Sequence, residues 1–136
     1  MPDMDRWPTS RLLSTAARLV ELAWNEKLRP LGLTYPAVLT LDTVATAGPI
    51  TPGKLAQSVR VQAQTMGPLL SRLESRGYIL RQPNRFDRRS QLVSITEVGL
   101  ALLEQSHRLE SIVLSAVKLD SDGLREELLA IVRHAP

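Results

Sequence analysis

The sequence predicts a mainly α-helical fold with one small β-hairpin, on three observations. Apolar residues recur at the three-and-four spacing of amphipathic helices, and Thr-Pro or lone-Thr caps punctuate them. Between Thr65 and Gly99 a short helix ending on Gly77 gives way to Tyr78-Ile79-Leu80, an arginine-dense loop, and Leu92-Val93-Ser94-Ile95. Helix, strand, basic tip and strand, in that order, make a winged helix-turn-helix.

Each element has its own warrant. The first helix is expected from Ser10 to about Arg29, with Leu12, Leu13, Ala16, Leu19, Val20 and Ala23 on one face and Pro30 as its stop. Thr34 caps a second helix, tolerating Pro36 in its first turn, and Val38, Leu41, Val44 and Ala45 carry it to Gly48-Pro49. Thr51-Pro52 opens a short third helix with Leu55, Ala56 and Val59 inward, ending near Arg60. The fourth runs from about Ala63 to Arg76, with Met66, Leu69, Leu70 and Leu73 toward the core and Gly77 as the left-handed terminator. Pro83 to Ser90 is too polar for anything but a hairpin tip. Thr96 caps a long fifth helix bearing Leu102, Leu109, Ile112, Val113 and Ala116, and Asp120-Ser121-Asp122 opens a last one with Leu124, Leu128, Ile131 and Val132.

Composition narrows the function classes. At 136 residues the expectation is a single domain, 1–136, with a winged-helix region at 34–96 and helical flanks at 8–30 and 97–136. A 43% apolar content supports a core, and a single phenylalanine requires that core to be aliphatic. Zero cysteines exclude disulfides, thiolate metal sites and thiol redox switches. No apolar run reaches membrane-spanning length and the N-terminus lacks a signal-peptide apolar block, so a cytoplasmic protein without a membrane partner is expected. Two histidines without cysteine offer no credible nucleophile with a base and no metal cluster; His107, near Glu104, and His134 read as solvated side chains, so neither an enzyme nor a cofactor is expected.

Charge is uneven. Residues 54–89 carry eight basic residues against Glu74 and Asp87, a balance of +6 in a chain whose total is +3. A basic block between mildly acidic ends suits a surface that meets phosphate. Surplus apolar faces on the first, fifth and last helices exceed what a small winged-helix core can cover, which points to a homodimer formed by the two chain ends.

The runs Leu33-Thr34, Lys54-Leu55-Ala56, Leu73-Glu74-Ser75-Arg76-Gly77-Tyr78, Asp87-Arg88-Arg89 and Ile95-Thr96-Glu97-Val98-Gly99, in that order and spacing, resemble the MarR family of bacterial transcription regulators. The resemblance implies a homodimeric repressor on a pseudo-palindromic double-stranded DNA operator. Its interlocked termini would hold two recognition helices about one duplex turn apart. It also implies release by a small aromatic effector, with Trp7 and Trp24 as candidate pocket residues; packing at the dimer interface explains both tryptophans as well.

Residue chemistry supplies the contacts. Gln62, Gln64 and Thr65 put short polar side chains at the N-terminus of the fourth helix, where such groups meet base edges, and Arg72 two turns on can reach a phosphate or guanine. Arg89, with Arg85 and Arg88 beside it, sits on a thin hairpin that can enter a narrow minor groove. The resemblance implies that Asp87 pairs with Arg89 and aims it; otherwise Asp87 only caps the turn.

One departure is sharp. Where the family would place a polar residue and an arginine, the fourth helix has Gly67-Pro68, and a kink or a late helix start is expected. Two other readings stay open: a winged helix used for protein contact, and a constitutive DNA-binding protein without effector control.

Overall fold

A computed structural model describes residues 3–119 and 122–135. In chain order the elements are α1 (Thr9–Leu28), α2 (Tyr35–Ala47), α3 (Pro52–Val59), α4 (Ala63–Ser75), β1 (Ile79–Pro83), β2 (Gln91–Ile95), α5 (Glu97–His107), α6 (Glu110–Ala116) and α7 (Asp122–Arg133), with single 3-10 turns at Met4–Arg6 and Arg29–Leu31. The expected starting role of Asp120-Ser121 lies outside the described residues. Contacts divide the chain into a central unit, Leu28–Arg108, and a terminal unit built from the two chain ends.

The central unit is a winged helix. Three threonine caps set its helices: Thr34 Oγ1 accepts the Ala37 N–H, Thr51 Oγ1 the Lys54 N–H and Thr96 Oγ1 the Gly99 N–H. Each satisfies a donor that the first helical turn would otherwise leave unpaired, a contribution of about 1 kcal/mol per cap. α2 packs on α3, α5 and β2, and α4 packs on α3 and β1. The core is aliphatic, as the composition requires: Leu28, Leu41, Val44, Leu55, Leu70, Ile79 and Val93 are fully enclosed with Met66. All four inward residues expected of α4 are buried.

β1 and β2 pair antiparallel from Ile79 opposite Ile95 to Pro83 opposite Gln91. The sheet has an additional partner that the sequence did not suggest. Ile50 and Val93 exchange both backbone hydrogen bonds, at 3.1 and 2.8 Å. The residue before Thr51-Pro52 thus anchors the base of the wing, although a lone apolar residue between two prolines carries no strand periodicity.

Gly77 closes α4 with φ of 80° in the left-handed region, and its carbonyl accepts from Thr96 Oγ1 at 2.6 Å. Thr96 N–H donates to the Tyr78 carbonyl at 3.0 Å. Gly99 then has no room for a side chain: a methyl group there would collide with the Tyr78 carbonyl and lie 2.9 Å from Ile95 Cγ1. The recognition helix, the wing and α5 are therefore joined at one crowded point.

The expected long fifth helix is two helices. α5 ends at His107, Arg108 and Leu109 form a turn, and α6 begins at Glu110. Buried Ser106, in the last turn of α5, donates its hydroxyl to the Leu102 carbonyl at 3.0 Å. α5 packs on α2 and is grouped with the central unit.

In the terminal unit the apolar side chains are poorly covered. Leu12, Leu13, Leu19 and Leu22 on α1, Ile112 on α6 and Leu128, Ile131 and Val132 on α7 are all exposed, Val132 to 66%. A groove of about 760 Å³, lined by Val20, Leu114, Leu124, Leu128 and Val132 among others, lies open in this unit. Among the described residues no helix is long and apolar enough to cross a membrane.

Candidate nucleic-acid interface

Two surfaces of the central unit present the chemistry expected at a duplex. The first is the N-terminal turn of α4. Gln62 occupies the cap position with extended backbone, but its side chain makes no capping bond. Gln62, Gln64 and Thr65 are exposed, as is Arg72 farther along the helix. Their amides and hydroxyl are not consumed by internal bonding among the described residues, which leaves them free to read donors and acceptors on base edges.

Pro68 does not delay this helix. α4 starts at Ala63, where Met66 N–H already donates to the Gln62 carbonyl at 3.1 Å, and it is continuous through Pro68 to Ser75. The expected late start is overturned. Gln64 and Pro68 both lie on the exposed side, so water can satisfy the Gln64 carbonyl that proline leaves without a donor. The position still lacks the positive charge that the sequence comparison expected there.

The second surface is the wing tip, residues 84–90. Asn84 Oδ1 accepts the Phe86 N–H at 3.0 Å, and Asn84 Nδ2 donates to Ser90 Oγ at 3.0 Å. Ser90 N–H returns to the Asp87 carbonyl at 3.1 Å. Arg85, Arg88 and Arg89 all project from this closed turn and are exposed. Asp87 Oδ1 accepts the backbone N–H of Arg89 at 3.0 Å. No ion pair joins Asp87 to the Arg89 guanidinium among the described residues, so Asp87 fixes the arginine through its backbone rather than its head group.

A further arginine has a different task. Arg81 on β1 donates from Nε and Nη2 to Glu74 Oε1, at 3.2 and 3.0 Å, and from Nη2 to Ser71 Oγ at 3.1 Å. Its side chain is 22% exposed. The pair ties the last turns of α4 to the wing, so the helix and hairpin move together. Reasoning from sequence missed this residue, because Glu74 and Arg81 lie seven apart across a helix–strand junction and share no periodicity. Arg76 Nη1 similarly donates to the Gly32 carbonyl before α2. His107 Nε2 lies 3.0 Å from Asp42 Oδ1, joining α5 to α2, a contact between residues 65 apart that no local pattern announces.

The two tryptophans lie at opposite ends of α1. Trp7 precedes α1, half-buried, with the Arg11 guanidinium 3.6 Å over its ring. Trp24 is buried in the last turns of the same helix. Fifteen residues of α-helix between positions 9 and 24 separate them by about 22 Å. The cavity in the central unit that borders α4, about 210 Å³, is lined by Gly32, Leu33, Thr34, Ala37, Leu69, Arg72, Leu73 and Arg76.

Comparison with known proteins agrees with this geometry. Residues 33–91 match the model of the MarR family. The multiple antibiotic resistance protein MarR of Escherichia coli K12 is 33% identical over 102 residues, covering 75% of this chain and 71% of that one. The organic hydroperoxide resistance transcriptional regulator of Bacillus subtilis is 29% identical over 85% of this chain and 78% of its own. Among solved structures, a Cys-to-Ser mutant of E. coli MarR in complex with operator DNA superposes with a TM-score of 0.81 at 27% identity, covering 98% of this chain and 96% of that one.

Proposed function

Since the chain belongs to the MarR family of winged-helix transcription regulators and is not an enzyme, we propose that it is a cytoplasmic homodimeric repressor that binds a pseudo-palindromic operator and is released by a small molecule. One observation carries the DNA-binding part. An exposed polar helix start, Gln62, Gln64 and Thr65, and an exposed cationic hairpin, Arg85, Arg88 and Arg89, belong to one unit and are braced to each other by Arg81 and Glu74. A helix start suited to the major groove and a wing suited to the flanking minor groove meet the needs of base readout and phosphate attachment.

The uncovered apolar residues of α1, α6 and α7 support the dimer, since a second copy of the terminal unit would bury them. Dimerisation turns one recognition helix into two and makes the operator palindromic. For the effector, Trp7 and Trp24 both belong to the terminal unit, about 22 Å apart along α1. The cavity bordered by Arg72 and Arg76 supports a small acid better, because a carboxylate bound there would compete with DNA for Arg72. It is smaller than the usual ligand cavity of about 300–1,000 Å³, which suits a small effector.

The test is a footprint and an anisotropy titration on the DNA flanking the gene, at several salt concentrations. A protected palindrome with affinity that falls steeply as salt rises is expected. Absence of any sequence preference would favour a constitutive DNA-organising protein, and absence of binding would favour a protein-contact module.

A further inference from the structure

We propose that Phe86 is an apolar wedge that enters the minor groove beside the wing arginines and unstacks or kinks a base step there. This rests on the DNA-binding reading above and adds to it a contact that is neither a phosphate clamp nor a hydrogen bond to a base.

The chain's only phenylalanine is 97% exposed, well beyond the most exposed aliphatic side chain of the same unit, Val98 at 60%. Its position is held rather than loose. The Phe86 N–H is bonded to Asn84 Oδ1, Asp87 N–H to the Asn84 carbonyl at 3.3 Å, and Arg89 N–H to Asp87 Oδ1. These bonds close the turn on both sides of residue 86 and leave the ring at its apex.

The surroundings select the partner. Phe86 is flanked by Arg85 on one side and by Asp87, Arg88 and Arg89 on the other, and the one acidic group is engaged by the turn. A protein partner would need an apolar patch, and specific protein interfaces bury about 1,200–2,000 Å². A single exposed ring among Arg85, Arg88 and Arg89 of the same turn supplies no such patch. A polyanion with a narrow apolar-walled slot fits both components: the arginines take the phosphates on either strand, and the ring meets sugars and base edges. Minor-groove proteins use phenylalanine and other apolar side chains in this way, unstacking a step and bending the duplex.

The experiment begins with duplexes enriched by the wild-type protein from a random-sequence library. Wild type, Phe86→Ala, Phe86→Trp and Arg88→Ala are compared on the enriched duplex for affinity, salt dependence and end-to-end energy transfer. 2-Aminopurine is placed at successive steps of the minor groove that the wing protects. Phe86→Ala should lose about tenfold in affinity with an unchanged salt slope, because an apolar contact releases no counterions. Arg88→Ala should lower the slope by about one. Wild type and Phe86→Trp should brighten 2-aminopurine at one step and shorten the end-to-end distance, and Phe86→Ala should do neither. An unchanged melting temperature for Phe86→Ala controls for folding.

Equal affinity and equal bending by wild type and Phe86→Ala would overturn the wedge and leave the DNA-binding reading standing. Failure of the wild type to enrich any duplex would overturn both. Cosedimentation with anionic phospholipid vesicles, lost in Phe86→Ala while DNA binding is unaltered, would assign the ring to a membrane surface and overturn the wedge.

Discussion

The central and terminal units solve opposite problems with similar side chains. In the central unit Leu41, Val44, Leu55, Leu70 and Val93 have no solvent exposure, and three helix starts are closed by threonine hydroxyls. In the terminal unit Leu19 is 53% exposed and Ile131 58%. Fully burying an aliphatic side chain contributes about 1.5–3 kcal/mol. Residues 28–108 collect that stabilisation within one chain, whereas α1, α6 and α7 forgo much of it. The difference separates a part whose core closes within one chain from a part that leaves apolar surface for the proposed second copy.

The sharpest break of that comparison is truncation after Lys118. This removes α7 with Leu124, Leu128, Ile131 and Val132, and the expected outcome is loss of the dimer or aggregation, while Leu28–Arg108 keeps its helical signal. Sedimentation velocity with circular dichroism reads both. A stable truncated dimer would show that α1 and α6 suffice.

The converse test strikes the central unit and spares the termini. Gly99→Val places a branched side chain against the Tyr78 carbonyl and Ile95, where the wing, α4 and α5 meet. Overpacking of this kind costs about 1–3 kcal/mol, occasionally more, and a backbone carbonyl cannot swing aside as a side chain can. A lowered urea midpoint with an intact dimer is expected. An unchanged midpoint would mean that the junction is looser than its hydrogen bonds suggest.

Local signals made the central unit legible from sequence. Thr34, Thr51, Thr96 and Gly77 are caps and stops whose chemistry lies within a few residues, and each does what its type and place imply. Long-range contacts were not legible. The Ile50–Val93 bridge, the Arg81–Glu74–Ser71 brace and the His107–Asp42 pair join residues that share no element. The division of the fifth helix was not legible either, because the apolar period runs on from α5 to α6 across the turn at Arg108 and Leu109. At the candidate interface the residue types were readable, whereas the atoms they use were not. Asp87 meets Arg89 at the backbone N–H, a detail that depends on turn geometry.

Within the central unit the two DNA-facing surfaces can be set against each other. Arg89→Ala should weaken operator binding by about 1–3 kcal/mol and reduce the salt slope by about one, with the dimer intact. Its backbone N–H remains bonded to Asp87 in the variant, so the turn should persist and the loss can be assigned to the guanidinium. Fluorescence anisotropy at fixed and varied salt makes the measurement. Unchanged affinity in a folded dimer would remove this arginine from the mechanism and shift the weight to α4.

The smallest expected effect belongs to Pro68, and its sign is opposite. α4 is continuous across the proline, so most of the roughly 3 kcal/mol that an interior proline costs in an unrelieved helix has been avoided by leaving the Gln64 carbonyl to solvent. Pro68→Arg restores an N–H to that carbonyl, and one net backbone bond is worth about 0.5–1.5 kcal/mol. The urea midpoint should therefore rise slightly. The new guanidinium stands on the exposed side of α4 between the polar start at Gln62, Gln64 and Thr65 and the cation at Arg72, and it should add one phosphate or guanine contact. Binding should tighten by about 1 kcal/mol, with a salt slope steeper by about one if the contact is a phosphate and an altered base preference if it is a guanine. A variant with the same affinity, slope and preference as wild type would place residue 68 outside the DNA-facing surface, which would in turn require a docking angle for α4 different from the one its exposed side chains imply.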